Sequence, residues 1–169
     1  MRTFITGVVL FFSFILQTTL IQYMELWGVK PNLMLIIIIC FSLLRGSVGG
    51  AVIGLFSGIL MDFFAAEVFG LHSLLCMYTG VVTGSLSSRF VRENYLVAVL
   101  FTFVLSFVYE SIFFFLRFYM WGETQIVFFL KNTILLEAVY NCILVIPVYY
   151  SIIRINKWLE RKEEVTRKY

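Results

Sequence analysis

The sequence has few of the residues that keep a protein soluble and few of those that enzymes use at their active sites. Only 14% of its 169 residues are charged, whereas 61% are hydrophobic, and soluble domains usually carry about 25% charged residues. There are two prolines, three cysteines and one histidine. A soluble chain of this length could not bury 19 phenylalanines and 9 tyrosines. We therefore expect an integral membrane protein, for which the bilayer acts as the apolar solvent.

The motifs of metal-dependent, nucleotide-dependent and serine enzymes are absent as well. The chain has no H-E-x-x-H, no P-loop and no G-x-S-x-G. Cys40, Cys76 and Cys142 lie in apolar runs without C-x-x-C spacing, and His72 has no cysteine cluster beside it. We predict packing roles for the cysteines, with a disulfide or metal role as the alternative. No cofactor, metal, nucleic-acid partner or enzymatic activity is expected.

The apolar residues fall into six segments joined by short polar connections. Because a helix needs about 20 residues to cross the hydrocarbon core, this pattern predicts an all-α, polytopic membrane protein with six transmembrane helices. The first segment is too long for a cleaved signal peptide. The second is short, rising only about 18 Å, so it is either a span in a thinned region or a re-entrant helix. We expect one transmembrane domain over residues 1–153, with spans at about 4–24, 33–44, 48–64, 71–88, 95–118 and 126–153.

The basic residues indicate the orientation of these spans, because lysine and arginine concentrate in cytoplasmic loops. Six spans with both termini in the cytoplasm place ten of the thirteen bases inside and three outside. The three outer bases are Lys30, Arg117 and Lys131. We therefore predict a multi-pass protein of the bacterial cell membrane with both termini cytoplasmic. The charged tail, 154–169, suits a surface helix attracted to anionic lipid, or else a docking peptide for a cytoplasmic partner.

Small residues recur at four-residue spacing in the third segment, and the row ends in a carboxylate. Such spacing lets another helix approach backbone to backbone. The row is an internal helix–helix seam, a groove for another protein's transmembrane helix, or a ligand path. On a straight helix it drifts by about 40° per step, so we expect that one partner does not touch all of it. On this topology the carboxylate sits near the outer interface, so it is either a hydrated helix end or an intramembrane ionisable group that has a function. The residues are Gly46, Gly50, Gly54, Gly58 and Asp62, with Gly80 and Gly84 repeating the theme in the fourth segment.

Polar residues of the fifth and sixth segments match in depth. If the two form a hairpin centred near residues 123–124, residues whose numbers sum to about 247 lie at equal depth. Glu110 then faces Glu137, and Ser106 faces Asn141, with Arg117 and Lys131 farther out. The two carboxylates would repel each other unless one is protonated or a base pairs with them. We predict a polar seam that holds the hairpin together; a proton or substrate path is the alternative.

With these features in place, the chain resembles the MreD family of bacterial rod shape-determining membrane proteins. The motifs are Gln17-Thr18-Thr19-Leu20 closing the first segment, Pro31-Asn32-Leu33 opening the second, Arg45-Gly46, the glycine row ending in Asp62, and Gly70-Leu71-His72 opening the fourth. The resemblance covers the chain in length and in the order of its segments. Segments five and six match only in hydropathy, so the resemblance does not extend to the polar seam.

The resemblance implies a non-catalytic scaffold of the cell-wall elongation complex. MreD-like proteins associate with MreC, and with the machinery that contains the glycosyltransferase RodA, a class B penicillin-binding transpeptidase and MreB. The family fold is similar to that of the substrate-binding subunits of energy-coupling-factor vitamin transporters. The alternative is therefore a small-molecule transporter subunit that docks an ATP-driven module. Such subunits use an alanine-x-x-x-alanine surface in the first helix, and residues 4–24 contain no alanine.

Overall fold

The computed structural model describes the chain over residues 2–19, 29–65, 69–87, 94–121 and 126–167, and within these ranges it leaves undescribed the side chains of residues 2–4, 65, 117, 118, 120, 121, 126–133 and 159–167. These residues form five α-helices, which confirms the all-α class. The helices are α1 (Arg2–Thr19), α2 (Leu33–Ala65), α3 (Leu71–Ser87), α4 (Tyr95–Trp121) and α5 (Ile126–Arg167).

Three of these helices contain stretches long and apolar enough to cross a membrane. The stretches are Leu33–Phe64 in α2, Tyr95–Leu116 in α4 and Ile134–Trp158 in α5. The first helix carries a shorter apolar stretch, Ile5–Thr19. Phenylalanine and leucine side chains project from the outer faces of the bundle, with Phe12, Phe56 and Leu96 each more than 60% exposed. The protein is therefore a membrane protein whose exposed apolar side chains meet lipid.

The second helix breaks sharply at Gly46, where φ is 80° and ψ is −174°. A Cβ placed on Gly50 would lie against the side chain of Ser42, although eight residues of straight helix separate two positions by about 12 Å. The chain therefore folds back at Gly46. Residues 33–45 form the N-terminal arm of α2 and residues 47–65 form its C-terminal arm. The structure thus has one broken helix where the sequence predicted two segments, because the arms meet without an intervening loop.

Both ends of α2 lie near the C-terminal end of α1. The Leu33 N–H donates to Gln17 Oε1 at 2.8 Å, and the ring centroid of Phe64 lies 5.0 Å from that of Phe14. Gln17 and Phe14 are one turn apart on α1. The two arms of α2 therefore run antiparallel.

The N-terminal arm of α2 fills the middle of the bundle. Every side chain from Met34 to Phe41 is at most 3% exposed, and α2 contacts α1, α3, α4 and α5. A helix that is apolar on all sides is stable only when it is enclosed on all sides. Because lipid is as apolar as leucine, what holds this arm in place is close packing with neighbouring helices and hydrogen bonds, not exclusion from water.

The last helix is longer than the sequence predicted. It continues from residue 153 into the charged tail as far as Arg167, so the tail extends the last span. Pro147 lies within this helix; since proline has no N–H, one backbone carbonyl a turn earlier loses its helical donor. Membrane helices tolerate such a site when neighbouring groups or local adjustments compensate.

Candidate functional site

The start of α2 is held by a set of amide and carboxyl side chains that we call the polar cluster: Gln17, Asn32, Ser106, Glu110, Glu137 and Asn141. Asn32 caps α2, because its Oδ1 accepts the Leu35 N–H at 3.1 Å. Its own N–H donates to Asn141 Oδ1 at 2.9 Å. Asparagine is favoured at this position because its side chain satisfies a helix-terminal N–H that has no partner within the helix. The cap thus ties α2 to α5 at the same point.

Gln17 connects α1 to the same turn. Its Nε2 donates to the Pro31 carbonyl at 3.2 Å, and its Oε1 accepts the Leu33 N–H at 2.8 Å. The amide therefore pairs with the backbone on both sides of Asn32. Pro31 is fully buried and has no N–H that would need a partner. These three residues, which the sequence singled out only by resemblance, form one structural unit.

The fourth and fifth helices contribute the remaining members of the polar cluster. Asn141 Nδ2 donates to Ser106 Oγ at 3.1 Å, and both residues are completely buried. Glu110 and Glu137 are neighbours that interact with each other, and Glu110 also interacts with the side chain of Asn32. Two carboxyl groups hydrogen-bond to each other only if they share a proton. The structure therefore places the predicted pairs at equal depth; the side chains of Arg117 and Lys131 lie outside the described residues.

This arrangement joins α1, α2, α4 and α5 at one level. Each amide is engaged by other protein groups, and buried polar groups satisfied in this way add rigidity and specify one packing. Asn141 could not have been linked to Asn32 from the sequence, since 109 residues separate them. Matching depths along the predicted hairpin gives only the pairs Ser106–Asn141 and Glu110–Glu137, because it relies on the constant rise per residue of two neighbouring helices.

The glycine row packs against α3. A Cβ at Gly54 or Gly58 would lie under 3.0 Å from backbone atoms of Cys76 or Ser73, closer than real Cβ atoms come. A Cβ added to Gly50 would clash with the backbone of Gly80, and one added to Gly80 would clash with that of Gly50. A Cβ added to Gly84 would clash with the backbone of Gly46. The structure thus places the row at an internal seam, and α3 already occupies the surface that the groove hypothesis assigned to a partner.

Asp62 closes the seam at the start of α3. Its Oδ1 accepts the His72 N–H at 3.1 Å, its Oδ2 accepts the Ser73 N–H at 3.0 Å, and the Ser73 hydroxyl also donates to it. Gly70, with φ of 98°, has no side chain with which to cap α3, so a carboxylate from α2 does so. A negative charge is stabilised there by the unpaired N–H groups and the helix dipole. Asp62 is 4% exposed, which makes the predicted hydrated position wrong.

His72 lies in an aromatic environment beside this cap. Its Nδ1 is 2.7 Å from the Tyr109 hydroxyl, and its ring stacks on Phe113 with 4.7 Å between centroids. In the part of the chain that the structure describes, no group of three His, Cys, Asp or Glu side chains could hold a metal ion. Tyr109 and Ser73 were missed by sequence reasoning, because neither belongs to a recognisable motif.

Arg45 lies at the opposite end of the N-terminal arm, next to the break at Gly46. Its guanidinium donates to the Thr6 hydroxyl of α1 and lies 5.2 Å from the centroid of the Phe41 ring, within the range of a cation–π interaction. At the same end, the Ser87 hydroxyl of α3 donates to the Leu43 carbonyl at 2.5 Å. Polar side chains thus fasten both ends of the buried arm.

A groove of about 260 Å³ lies between α1 and α5, and we call it the α1–α5 groove. Its walls carry Val9, Ser13 and Leu16 from α1, and Pro147, Val148, Ser151, Ile152 and Ile155 from α5, above a floor of Leu33 and Ile37. The Ser13 and Ser151 hydroxyls donate to carbonyls of their own helices, Val9 and Pro147, at 2.7 and 2.9 Å. The groove is therefore lined mainly by apolar side chains, and the small side chains of Ser13 and Ser151 lie on its two walls.

The fold and the polar cluster define a helical membrane protein whose buried polar groups connect helices to one another. A family model described as rod shape-determining protein MreD matches residues 1–153, and the chain belongs to this family. The search of curated proteins and the search of solved structures found no match. Family membership confirms the resemblance seen in the sequence and gives the protein a role in rod shape determination, as a shape-determining structural membrane protein.

Proposed function

We propose that the protein is a non-catalytic, multi-pass scaffold of the cell-wall elongation complex in the bacterial cell membrane. The observation that carries this proposal is the family match over residues 1–153. The structure supports it through the polar cluster, where amide and hydroxyl groups bond to one another and to a helix end. Such an arrangement holds a shape on which other membrane proteins can assemble.

The scaffold crosses the membrane six times with both termini in the cytoplasm. The two arms of α2 count as separate crossings, because the chain folds back at Gly46. Thirteen residues of the N-terminal arm rise about 20 Å and nineteen of the C-terminal arm about 28 Å. The shorter arm is enclosed by other helices, so it does not have to match the full thickness of the bilayer. The ten-to-three distribution of bases supports this orientation.

The α1–α5 groove accommodates the transmembrane helix of MreC. Membrane helices associate where small residues let them approach closely, and Ser13 and Ser151 provide such positions on the two walls. The glycine row is not available for this purpose because α3 covers it. MreC bound there would bring RodA and the class B transpeptidase to the scaffold through its extracytoplasmic domain.

The proposal is tested by co-expression with tagged MreC and recovery in mild detergent. Ser13→Phe and Ser151→Phe each place a ring in the groove, so we expect at least about a tenfold loss of recovered complex, equivalent to about 1.4 kcal/mol. Ser85→Phe is the matched control, because Ser85 is an exposed serine on α3 that does not line the groove. It should leave recovery unchanged and should support rod shape in a complementation assay.

Three outcomes would contradict parts of the proposal. Equal recovery of MreC with all three variants would show that MreC binds elsewhere and that lipid fills the groove. Failure of the wild-type chain to recover MreC or RodA would remove the scaffold function. Recovery of an ATPase module in their place would establish the transporter alternative, with its expected likeness to vitamin-transporter subunits.

A further inference from the structure

A recess of about 390 Å³ lies between the start of α4 and residues 150–158 of α5, fifteen residues along α4 from Glu110 of the polar cluster. Its walls are Tyr95 at the start of α4, and Tyr150, Ile153, Arg154, Lys157 and Trp158 on α5. Three aromatic rings, two cations and one isoleucine therefore share a single concavity. We call it the basic recess.

The basic recess lies where the apolar parts of two helices end. The apolar stretch of α4 begins at Tyr95, and the charged part of α5 begins at Arg154, directly after Ile153. Tyrosine and tryptophan concentrate at the boundary between hydrocarbon and headgroups, where one side of the ring is apolar and the other is wet. The recess is thus at headgroup depth, on the side where the basic tail begins.

One wall of the basic recess is preformed by packing. The Tyr95 ring meets the buried Tyr149 ring edge-on, with 5.8 Å between centroids and an 88° angle between planes. Tyr149 is 1% exposed and Ile153 is 8% exposed, so both are fixed in the core. Arg154 and Lys157 are three residues apart, which places their side chains on the same helix face, and both are exposed.

We propose that the basic recess binds one anionic phospholipid, with its phosphate between Arg154 and Lys157 and its glycerol and upper acyl chain against Tyr95, Tyr150 and Ile153. Basic pockets between membrane helices recognise anionic headgroups in this way. A guanidinium offers paired donors to phosphate oxygens. A soluble phosphate would satisfy the cations but would leave the apolar wall uncovered, so we assign the site to a lipid. This inference requires only that the protein lies in a membrane, and it does not depend on MreC binding.

The experiment uses the fluorescence of Trp158 as a local reporter. The chain has three tryptophans, so Trp27→Phe with Trp121→Phe leaves Trp158 alone. The full chain is placed in nanodiscs of phosphatidylcholine with increasing phosphatidylglycerol, in which one lipid at a time carries brominated acyl chains that quench tryptophan. We expect brominated phosphatidylglycerol to quench more strongly than brominated phosphatidylcholine at the same mole fraction.

Variants then identify the bases that select the lipid. Arg154→Gln and Lys157→Gln should each lower the preference for phosphatidylglycerol about fivefold, the effect expected of one base at a membrane surface. Lys162→Gln is the matched control, because it removes the same charge from the same basic tail, five residues beyond Lys157, and it should leave the preference unchanged. Arg154→Lys combined with Lys157→Arg keeps both charges and should keep most of the preference for phosphatidylglycerol. This variant therefore separates the effect of charge from an effect of misfolding.

Each remaining outcome overturns the proposal. Equal quenching by the two brominated lipids would show that the recess does not select charge. An equal loss with Lys162→Gln would show diffuse attraction to the surface. If inorganic phosphate at millimolar concentration reversed the preference for phosphatidylglycerol, the site would belong to a soluble phosphate group.

Discussion

Single polar residues in this protein matter more than their number suggests, because the surroundings offer them no water. An amide or carboxyl group left without a partner in an apolar interior costs about 1–3 kcal/mol, and more if it is charged. Asn141 uses both ends of its amide, accepting from Asn32 and donating to Ser106. Replacing any one member therefore affects its partners on other helices as well.

At Glu110 and Glu137, we predict that glutamine is tolerated and leucine is not. Glutamine keeps a donor and an acceptor while it removes the need for a shared proton. Leucine leaves the other carboxyl and Asn32 short of a partner. We expect Glu110→Leu to cost about 1–3 kcal/mol, which corresponds to a Tm lower by about 2–4 °C per kcal/mol. Thermal unfolding in detergent would measure the difference.

The control for this prediction is Thr102→Val. Thr102 is fully buried two turns before Glu110, and its hydroxyl has no hydrogen-bond partner among the described residues, so valine should cost little. A proton-carrying site would show a different order, because glutamine would abolish function as completely as leucine. A cysteine pair at positions 110 and 137 that could not be crosslinked by oxidation would place the two side chains apart.

At the scale of elements, the contact between α3 and the C-terminal arm of α2 is the closest backbone approach among the described glycines. The expectation that one partner cannot follow the whole row was wrong. Gly46, Gly50, Gly54, Gly58 and Asp62 all meet α3. The drift of about 40° per step was calculated for a partner helix that runs straight along α2. Residues spaced four apart form a stripe that winds around their helix, because four exceeds the roughly 3.6 residues of one turn. A partner helix that crosses with the same hand therefore follows the whole stripe.

We predict that Gly54→Ala weakens the packing of α2 against α3 and that the larger side chain of Gly54→Leu abolishes it. The added Cβ would meet the Cys76 carbonyl, and this backbone cannot rotate away as a side chain could. Overpacking of this kind costs about 1–3 kcal/mol or more. Gly7→Leu is the control, since Gly7 is also helical but has nothing within 4 Å of its Cβ position. Size-exclusion profiles of the purified variants would separate folded from aggregated protein, and a folded, monodisperse Gly54→Leu variant would contradict the packing.

The elements differ in how far the sequence could predict them. The residues of α4 and α5 that lie at equal depth could be predicted from their numbers, because the rise per residue in two adjacent helices is constant. The acute turn at Gly46 was placed within the predicted connection at residues 45–47, but the burial of residues 34–41 on all sides was not foreseen. Hydropathy cannot separate a side chain that faces lipid from one that faces protein. The α1–α5 groove was missed too, because it depends on how two helices distant in sequence diverge.

For the whole molecule, the proposal of six crossings with both termini inside predicts which sites a membrane-impermeant thiol reagent reaches. The three native cysteines are first replaced, and single cysteines are then introduced between the proposed crossings. Lys30→Cys and Glu123→Cys should react from outside intact cells, and Asn94→Cys only after permeabilisation. Lys30 is used because the neighbouring Pro31 is buried. Reaction of Asn94→Cys in intact cells would reverse or break the proposed topology.

The enclosure of the N-terminal arm of α2 has a consequence for biosynthesis. Asn32 and Asn141, which join the arm to α5, are 109 residues apart, so the ribosome has completed the arm long before it makes the helix that covers it. Chains emerge at about 5–20 residues per second, and the delay is therefore on the order of 5–20 seconds. During that interval the nascent arm is surrounded by lipid or by the insertion machinery, and only the finished chain replaces those neighbours with its own helices.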